Sequence, residues 1–526
     1  MVEQRALTGS VRMARNGSYV AAFLVAVLCT FLRDADALNT TLTYTLGFLA
    51  PSADSVIPAS LANEWDSAFR VALEVMNSEN RSYLLVESRQ YTECDWQQGQ
   101  HAAETLLRPL MVPPFIGGVG PACTDAAMSA GRVFVEKNYP LLSFAATSES
   151  LSSRSFYPTF FRTVFSDKHQ AAAIAASVEK LNIKYLRVLT TQQYYSMNLG
   201  QNIIDAVGSK ANTTLCPLHT GDNSTINSTE LAGYLDTVGQ DEFIIMAVQP
   251  NQAYDIWTAA YKMDRIRYPF WYFGTDGVTA FDPADTNVTD PILVNALQGE
   301  IGVAPHGGDI LTNKPCEKFY SYWKAKNYPG FPSEGMTRTR SYVPHLIDAV
   351  QTYFLIIDNL IKANISVTKD AVLMALNGTG PGFESFVGCS GTVSFDNATG
   401  SRSISTQLPE YDLVSLTPKY WEMKGLIKNG SMLNLTSLTP PGSEFGPNST
   451  YIGPNPNGLS SKAKVGIIVG TLLGAVAVLF LAGSALYLYR RKTTTHPVTR
   501  SDSTRRMMDF VGTGSFRRSD SFRVNG

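Results

Sequence analysis

The sequence predicts an α/β fold of two doubly wound parallel-sheet lobes with an interlobe cleft, joined to one transmembrane helix. Three observations predict it. Between residues 44 and 362, short apolar β-type runs alternate with amphipathic helical stretches, the pattern of parallel strands joined by right-handed helical crossovers. The alternation comes in two successive runs, which gives two sheets. Near the C-terminus, residues 465–489 form a 25-residue stretch without a charge. In open parallel sheets, ligands bind at the carboxyl ends of the strands, so two facing lobes create a cleft.

At 526 residues the chain is too long for one simple domain, and 44% hydrophobic with 17% charged residues fits a folded protein. A net charge of −2 argues against general nucleic-acid binding. The first 37 residues read as a secretory signal. Arg5, Arg12 and Arg15 precede the apolar run 19–32, and Ala35 and Ala37 supply small residues at −3 and −1.

The first alternation follows. Tyr44–Leu49 reads as a strand. Trp65, Ala68, Phe69, Ala72, Leu73 and Met76 recur at helical spacing with one apolar face. Tyr83–Glu87 is a second strand, Gln97–Leu107 a helix, Pro114–Gly118 a third strand, Cys123–Lys137 a helix and Pro140–Ala145 a fourth strand. The second run has Tyr185–Thr191, a helix from Asn198, Phe243–Val248, a helix from Asn251, and Phe270–Phe273, with a long helical pattern over Tyr342–Lys362. This assigns lobe one to roughly 43–165 and 300–400, and lobe two to roughly 166–299 and 401–430. The α/β signal fades from about Asp412, and 431–464, rich in Pro, Gly, Ser, Thr and Asn, reads as a glycosylated stalk closing a 38–430 ectodomain.

The run 465–489 would extend about 37 Å as a helix, enough to cross ~30 Å of hydrocarbon. Arg490, Arg491 and Lys492 follow it and place the tail, 490–526, in the cytoplasm, hence a single-pass type I protein of the plasma membrane with its N-terminus outside. The tail carries nine Lys/Arg against three Asp and repeats a basic Arg-Ser-Asp-Ser pattern. Ser503, Ser519 and Ser521 are candidate phosphorylation sites, and a solvated tail near anionic lipid is the plainer alternative. Twelve sequons lie between signal and membrane, at Asn39, Asn80, Asn212, Asn223, Asn227, Asn287, Asn364, Asn377, Asn397, Asn429, Asn434 and Asn448. Beyond the signal stand Cys94, Cys123, Cys216, Cys316 and Cys389, an odd number and too few for a disulfide scaffold.

The blocks Gly117–Gly131 (GGVGPACTDAAMSAG), Asn138–Asp167 (containing SFAATSESLS and YPTFFRT), Phe273–Gly277 (FGTDG) and Val387–Arg402 (VGCSGTVSFDNATGSR) carry a resemblance. Over about Tyr44 to Lys424, the chain resembles the "Venus flytrap" ligand-binding ectodomain of family C G-protein-coupled receptors, of GABA and metabotropic glutamate type, and of natriuretic-peptide receptors. Bacterial periplasmic-binding-protein type I domains share the architecture. The resemblance implies a bilobed clamp closing on a small ligand, no cofactor or metal, ectodomain homo- or heterodimers, and a Cys94–Cys123 disulfide. Of Cys216, Cys316 and Cys389, at most one pair can then form. An amino-acid-like ligand presents a carboxylate and an ammonium, which call for hydroxyls and helix N–H groups and for acids respectively.

By that resemblance Thr124 and Thr147 meet the carboxylate, Asp276 and Asp167 surround the ammonium, Tyr194 or Tyr195 stands at the lobe-two tyrosine, and Trp96 lines the cleft. The chain departs from the family where Thr124-Asp125 replaces two serines, an extra acid that would repel a carboxylate. Ala145 and Ala146 also replace hydroxyl positions of the glutamate-binding branch, and no base aligns for an acidic side chain. A neutral amino acid or an amine fits better than glutamate. Plainer roles exist for each residue: turn chemistry for Ser143, Thr147 and Asp276, a helix N-cap for Asp167, core packing for Trp96.

No HExxH, GxSxG or Walker pattern appears, and the six histidines are scattered, so the sequence gives no support for an enzyme. With one span and a 37-residue tail, the layout is similar to a clearance-type natriuretic receptor. The chain then signals through a partner or clears its ligand, which is small and amino-acid-like or a peptide. The alternative is a clamp without ligand that serves adhesion or dimerisation.

Overall fold

In a computed structural model, the structure describes residues 41–435 apart from 55, 109–112, 222–223, 240–241, 267–269, 283–292, 294–295, 309, 311, 333–335, 337, 418–419 and 434. The expected signal peptide, membrane span, tail and phosphorylation sites, and sequons Asn39, Asn223, Asn287, Asn434 and Asn448, lie outside these residues. Among the described residues no helix is long and apolar enough to cross a membrane.

The first lobe starts with β1 (Leu42–Pro51), α1 (Ala59–Ser78), β2 (Tyr83–Thr92), α2 (Trp96–Leu106), β3 (Phe115–Val119), α3 (Thr124–Glu136), β4 (Leu141–Ser143) and β5 (Phe160–Arg162). The strands form one parallel sheet in the order β2-β1-β3-β4-β5. Period-two alternation divides its core between two faces. Leu46, Phe48 and Ala50 pack with Phe69 and Ala72 of α1, and Phe48 stacks on Phe69 at 3.9 Å. On the opposite face, Leu49 and Phe115 pack with Ala103 of α2 and Phe134 of α3.

The chain then enters the second lobe through α4 (Asp167–Lys180), β6 (Tyr185–Thr191), α5 (Tyr194–Val207), β7 (Asn212–Leu218), α6 (Ser228–Asp236), β8 (Glu242–Ala247), α7 (Pro250–Lys262), β9 (Trp271–Gly274), the short α8 (Asp276–Thr279) and β10 (Ile301–Pro305). It returns to the first lobe with α9 (Glu317–Lys326), α10 (Val343–Lys362), α11 (Lys369–Leu376) and the hairpin β11 (Phe386–Gly388)–β12 (Gly391–Val393). Fifteen of the twenty residues of α10 are buried, as an apolar helix packed inside a lobe requires. The chain closes on the second sheet with β13 (Glu410–Leu416), β14 (Trp421–Lys428) and β15 (Ser431–Leu433), giving the order β15-β14-β13-β10-β9-β8-β6-β7. Strands β6 to β10 run parallel, and the last three are antiparallel.

Three expectations are corrected. The chain leaves the second sheet after Pro305, not at 300, because β10 pairs with β9 and β13. The helix expected from Asn198 starts at Tyr194. Ser431–Leu433 is a strand and not the start of a stalk. Asn429 and Gly430 turn there with φ of 48° and 68°, the two left-handed residues of a tight hairpin, and hold β15 against β14.

The Val387–Arg402 motif ties the crossovers together. Asp348 of α10 accepts from Cys389 N at 2.5 Å and Ser390 N at 2.8 Å, while Arg402 donates to Ser390 Oγ at 2.7 Å and to Thr163 O at 3.2 Å. Cys94–Cys123 is formed, and so is Cys316–Cys389, with Cα–Cα distances of 5.2 and 4.9 Å. Cys216 is a buried free thiol. Asn80, Asn212, Asn227, Asn364, Asn397 and Asn429 are exposed, whereas Asn377 is half-buried and accepts from Arg154.

Candidate functional site

The polar residues of the expected cleft arise at strand-to-helix turns, where a parallel sheet exposes its carboxyl ends. After β3, Cys123 caps α3 and Thr124 is the first helical residue. The loop after β4 carries Ser143 to Thr147. Ser143 Oγ donates to Pro121 O at 2.7 Å and accepts from Ala146 N at 3.0 Å, so its role is turn chemistry. Thr147 is buried, and its hydroxyl makes no hydrogen bond.

Asp167 opens α4, but Ser166 holds the cap position, so the N-cap reading of Asp167 is replaced by another environment. Its side chain is 0% exposed and neither carboxylate oxygen makes a hydrogen bond. Burial first, and then the neighbouring Asp276, push its carboxyl well above the usual range, while Thr147, Arg162 and Glu149 also lie close enough to act on it.

Asp276 follows β9 and is 1% exposed. Tyr195 Oη donates to Asp276 Oδ1 at 2.5 Å, and Tyr342 donates to Oδ2. Burial raises this carboxyl too, against the hydrogen bond from Tyr195, which favours its charged form, and Gly277 N donates to Tyr195 Oη at 3.1 Å. Gly277 is required by close approach. A Cβ there would stand 2.5 Å from Val248 O and 2.8 Å from Tyr195 Oη, blocking the tyrosine from Asp276.

These turns border one narrow cavity. Thr124, Tyr195 and Asp276 line it, with Ala145. Thr147 and Asp167 lie behind Asp276 and are not in the lining. Tyr194 is 52% exposed, and its ring faces Trp96 at 6.1 Å, with the Arg132 guanidinium 4.8 Å from the centre of the Trp96 ring. Trp96 and Tyr194 therefore form a rim stack outside the cavity, and of the tyrosine pair it is Tyr195 that reaches inside.

Sequence reasoning missed Trp65, Tyr342, Ile57 and Gln249, which also line the cavity. Trp65 was visible only as an apolar position of a helix. Its indole donates to Ser341 O at 3.1 Å, next to Tyr342 in the chain. No local signal marks either residue.

Further contacts join the lobes. Asn251 N, at the start of α7, donates to Val56 O at 3.1 Å, and Tyr194 N donates to Asp125 Oδ1 at 3.2 Å. With the Tyr342–Asp276 bond, first-lobe and second-lobe groups meet on both sides of the cavity.

Comparison with known proteins gives one family model, the "Receptor family ligand binding region", matched over residues 64–418. A rice protein named glutamate receptor 3.1 is 24% identical over 345 residues, 61% of this chain and 35% of that protein. The cat protein named taste receptor type 1 member 3 is 28% identical over 221 residues, 41% of this chain and 24% of its own length. The human G-protein coupled receptor family C group 6 member A is 25% identical over 235 residues, covering 43% and 24%. The chain thus spans about a third or less of the relatives it matches.

Proposed function

The chain belongs to the receptor-family ligand-binding regions, and from that premise we propose that it is a cell-surface receptor or co-receptor whose two lobes clamp a small extracellular ligand bearing an ammonium group, an amino acid or an amine. The observation that carries this reading is the convergence of Thr124, Trp65 and Tyr342 from one lobe with Tyr195 and Asp276 from the other around one cavity. Asp276, backed by Asp167, takes the ammonium, and Tyr195 orients Asp276. A ligand held by both lobes binds fully only when they meet, so its differential affinity favours closure.

The names of the relatives, glutamate and taste receptors, support a small solute over a macromolecular partner. The remaining parts of the reading are a cleaved signal at 1–37, a stalk after the last strand, a type I span at 465–489, glycosylated sequons and ectodomain dimers. Signalling passes through a partner chain, or the ligand is cleared. The test is a thermal-shift screen of the full-length protein in detergent against amines and amino acids. A ligand at 100 times its dissociation constant adds about 2.7 kcal/mol of stability. A screen in which no compound shifts the transition at millimolar concentration would overturn the reading.

A further inference from the structure

The cavity wall is unbalanced in charge. Its described lining holds one carboxylate, Asp276, and the rings of Trp65, Tyr195 and Tyr342, with no Lys, Arg or His. Behind Asp276 lies Asp167, fully buried with both oxygens unbonded, and near it Glu149 keeps one buried oxygen without a partner. The cation within reach is Arg162. Its guanidinium is directed away, donating to Ala146 O at 3.2 Å, Ser148 O at 2.8 Å, Ser152 Oγ at 2.6 Å and Ser401 Oγ at 2.9 Å. Three acids thus face one base behind the cavity wall, an imbalance of charge that attracts a cation and repels an anion. Aromatic faces beside a carboxylate add attraction for the same charge.

The chain sets an acid of its own next to the Thr124 corner of the cavity. Thr124 Oγ1, at the start of α3, accepts from Ser148 N at 3.4 Å. The next residue, Asp125, reaches across to α5 and accepts from Tyr194 N at 3.2 Å. The cap residue of α5, Gln193, makes no side-chain cap bond, so the Asp125 carboxylate occupies this helix N-terminus, at the rim beside Trp96 and Tyr194. A ligand carboxylate would find Tyr194 N engaged and the acid Asp125 beside Thr124.

Resting on the small-ligand reading above, we propose that the site takes an organic amine that lacks a carboxylate, its ammonium on Asp276, which Asp167 backs, and its apolar body against Trp65, Tyr342 and Ile57, with Asp125 excluding the matching amino acid. The raised carboxyls agree with this arrangement: burial raises both, and for Asp167 the nearby Arg162 charge offsets that only in part.

The test uses decarboxylation pairs, tyramine against tyrosine and isoamylamine against leucine, titrated calorimetrically into the full-length protein in detergent. At least one amine should bind about a hundredfold or more tighter than its amino acid, the scale of a like-charge clash in a dry cleft. Asp125→Ala should narrow that gap about tenfold or more by strengthening amino-acid binding. Equal or tighter binding of the amino acids overturns the inference and leaves the small-ligand receptor standing. An unchanged gap in Asp125→Ala overturns the role of Asp125. If neither member of any pair binds at millimolar concentration, the inference falls, and a silent thermal-shift panel as well takes the small-ligand reading with it. The wild-type comparison decides the ligand class even where the variant fails to fold.

Discussion

Tyr342→Phe isolates the contact between lobes at its most buried point. Tyr342 is 5% exposed and belongs to the first lobe's core, with its ring 6.5 Å from that of Trp65 and 6.0 Å from that of His345. Phenylalanine keeps those ring contacts and opens no cavity. It removes only the hydroxyl that donates to Asp276 in the second lobe, and Asp276 retains Tyr195. A hydrogen bond to an ionised group contributes about 1.5–3 kcal/mol, and one between neutral groups about 0.5–1.5. With Asp276 ionised, the loss disfavours the closed arrangement by roughly 10- to 150-fold. The effect should shrink at acidic pH, where the raised Asp276 carboxyl takes up a proton. Spin labels on cysteines placed at the exposed positions Lys137 and Lys262 would report the distance between lobes. A longer, broader distribution in Tyr342→Phe at neutral pH is the expected result. Superimposable distributions at every pH would refute the idea that this hydroxyl holds the lobes together.

Three other outcomes are expected. Replacing Cys316 and Cys389 together by serine should cost on the order of 4 kcal/mol, from a loop whose ends are 73 residues apart; chemical denaturation under non-reducing conditions measures it, and peptide mapping should recover both bridges in the wild type. The Cys216 thiol, 2% exposed, should react with maleimide only in the unfolded protein, and non-reducing gels should show no crosslink through it. Burial pushes the Asp348 carboxyl up to about 6 despite its hydrogen bonds from Ser390. A raised folded pKa means its contribution to stability is complete below the unfolded value and is lost as pH rises through about 6. The stability of wild type relative to Asp348→Asn should therefore fall by about 2 kcal/mol between about pH 4 and pH 7, and a flat difference would contradict it.

The fold was legible where periodicity alone decides it. Tyr185–Thr191 is a strand of those bounds because its apolar run is short, β-branched and flanked by polar turns. Long helices such as Val343–Lys362 announce themselves by apolar spacing sustained over five turns. What stayed hidden was pairing. The Asn429-Gly430 turn is a strong hairpin signal, yet β15 is only three residues long, and its partner strand follows an antiparallel addition to a parallel sheet. Once Cys94 and Cys123 are paired, parity allows at most one bridge among the other three cysteines, but only the fold brings Cys316 at the start of α9 to Cys389 in the β11–β12 turn.

The site divides along the same line. Thr124 and Asp276 carried a family motif and border one cavity, and of the Tyr194–Tyr195 pair it is Tyr195 that joins them. Trp65 and Tyr342 carried none, because a core tryptophan and a cleft tryptophan have the same helical spacing. The difference lies in a single bond from the indole to Ser341 O, 276 residues away in sequence. Asp125 shows how a departure from a motif can inform more than a match. In sequence it was an unexplained acid where a hydroxyl was expected. In the structure that acid bonds to the N-terminus of a helix of the other lobe, at 3.2 Å. A carboxylate supplied by the chain at that place removes the reason for a ligand to bring its own, while leaving intact the buried acids that need a cation. The residue that breaks the pattern is thus the one that most narrows the chemistry of the ligand.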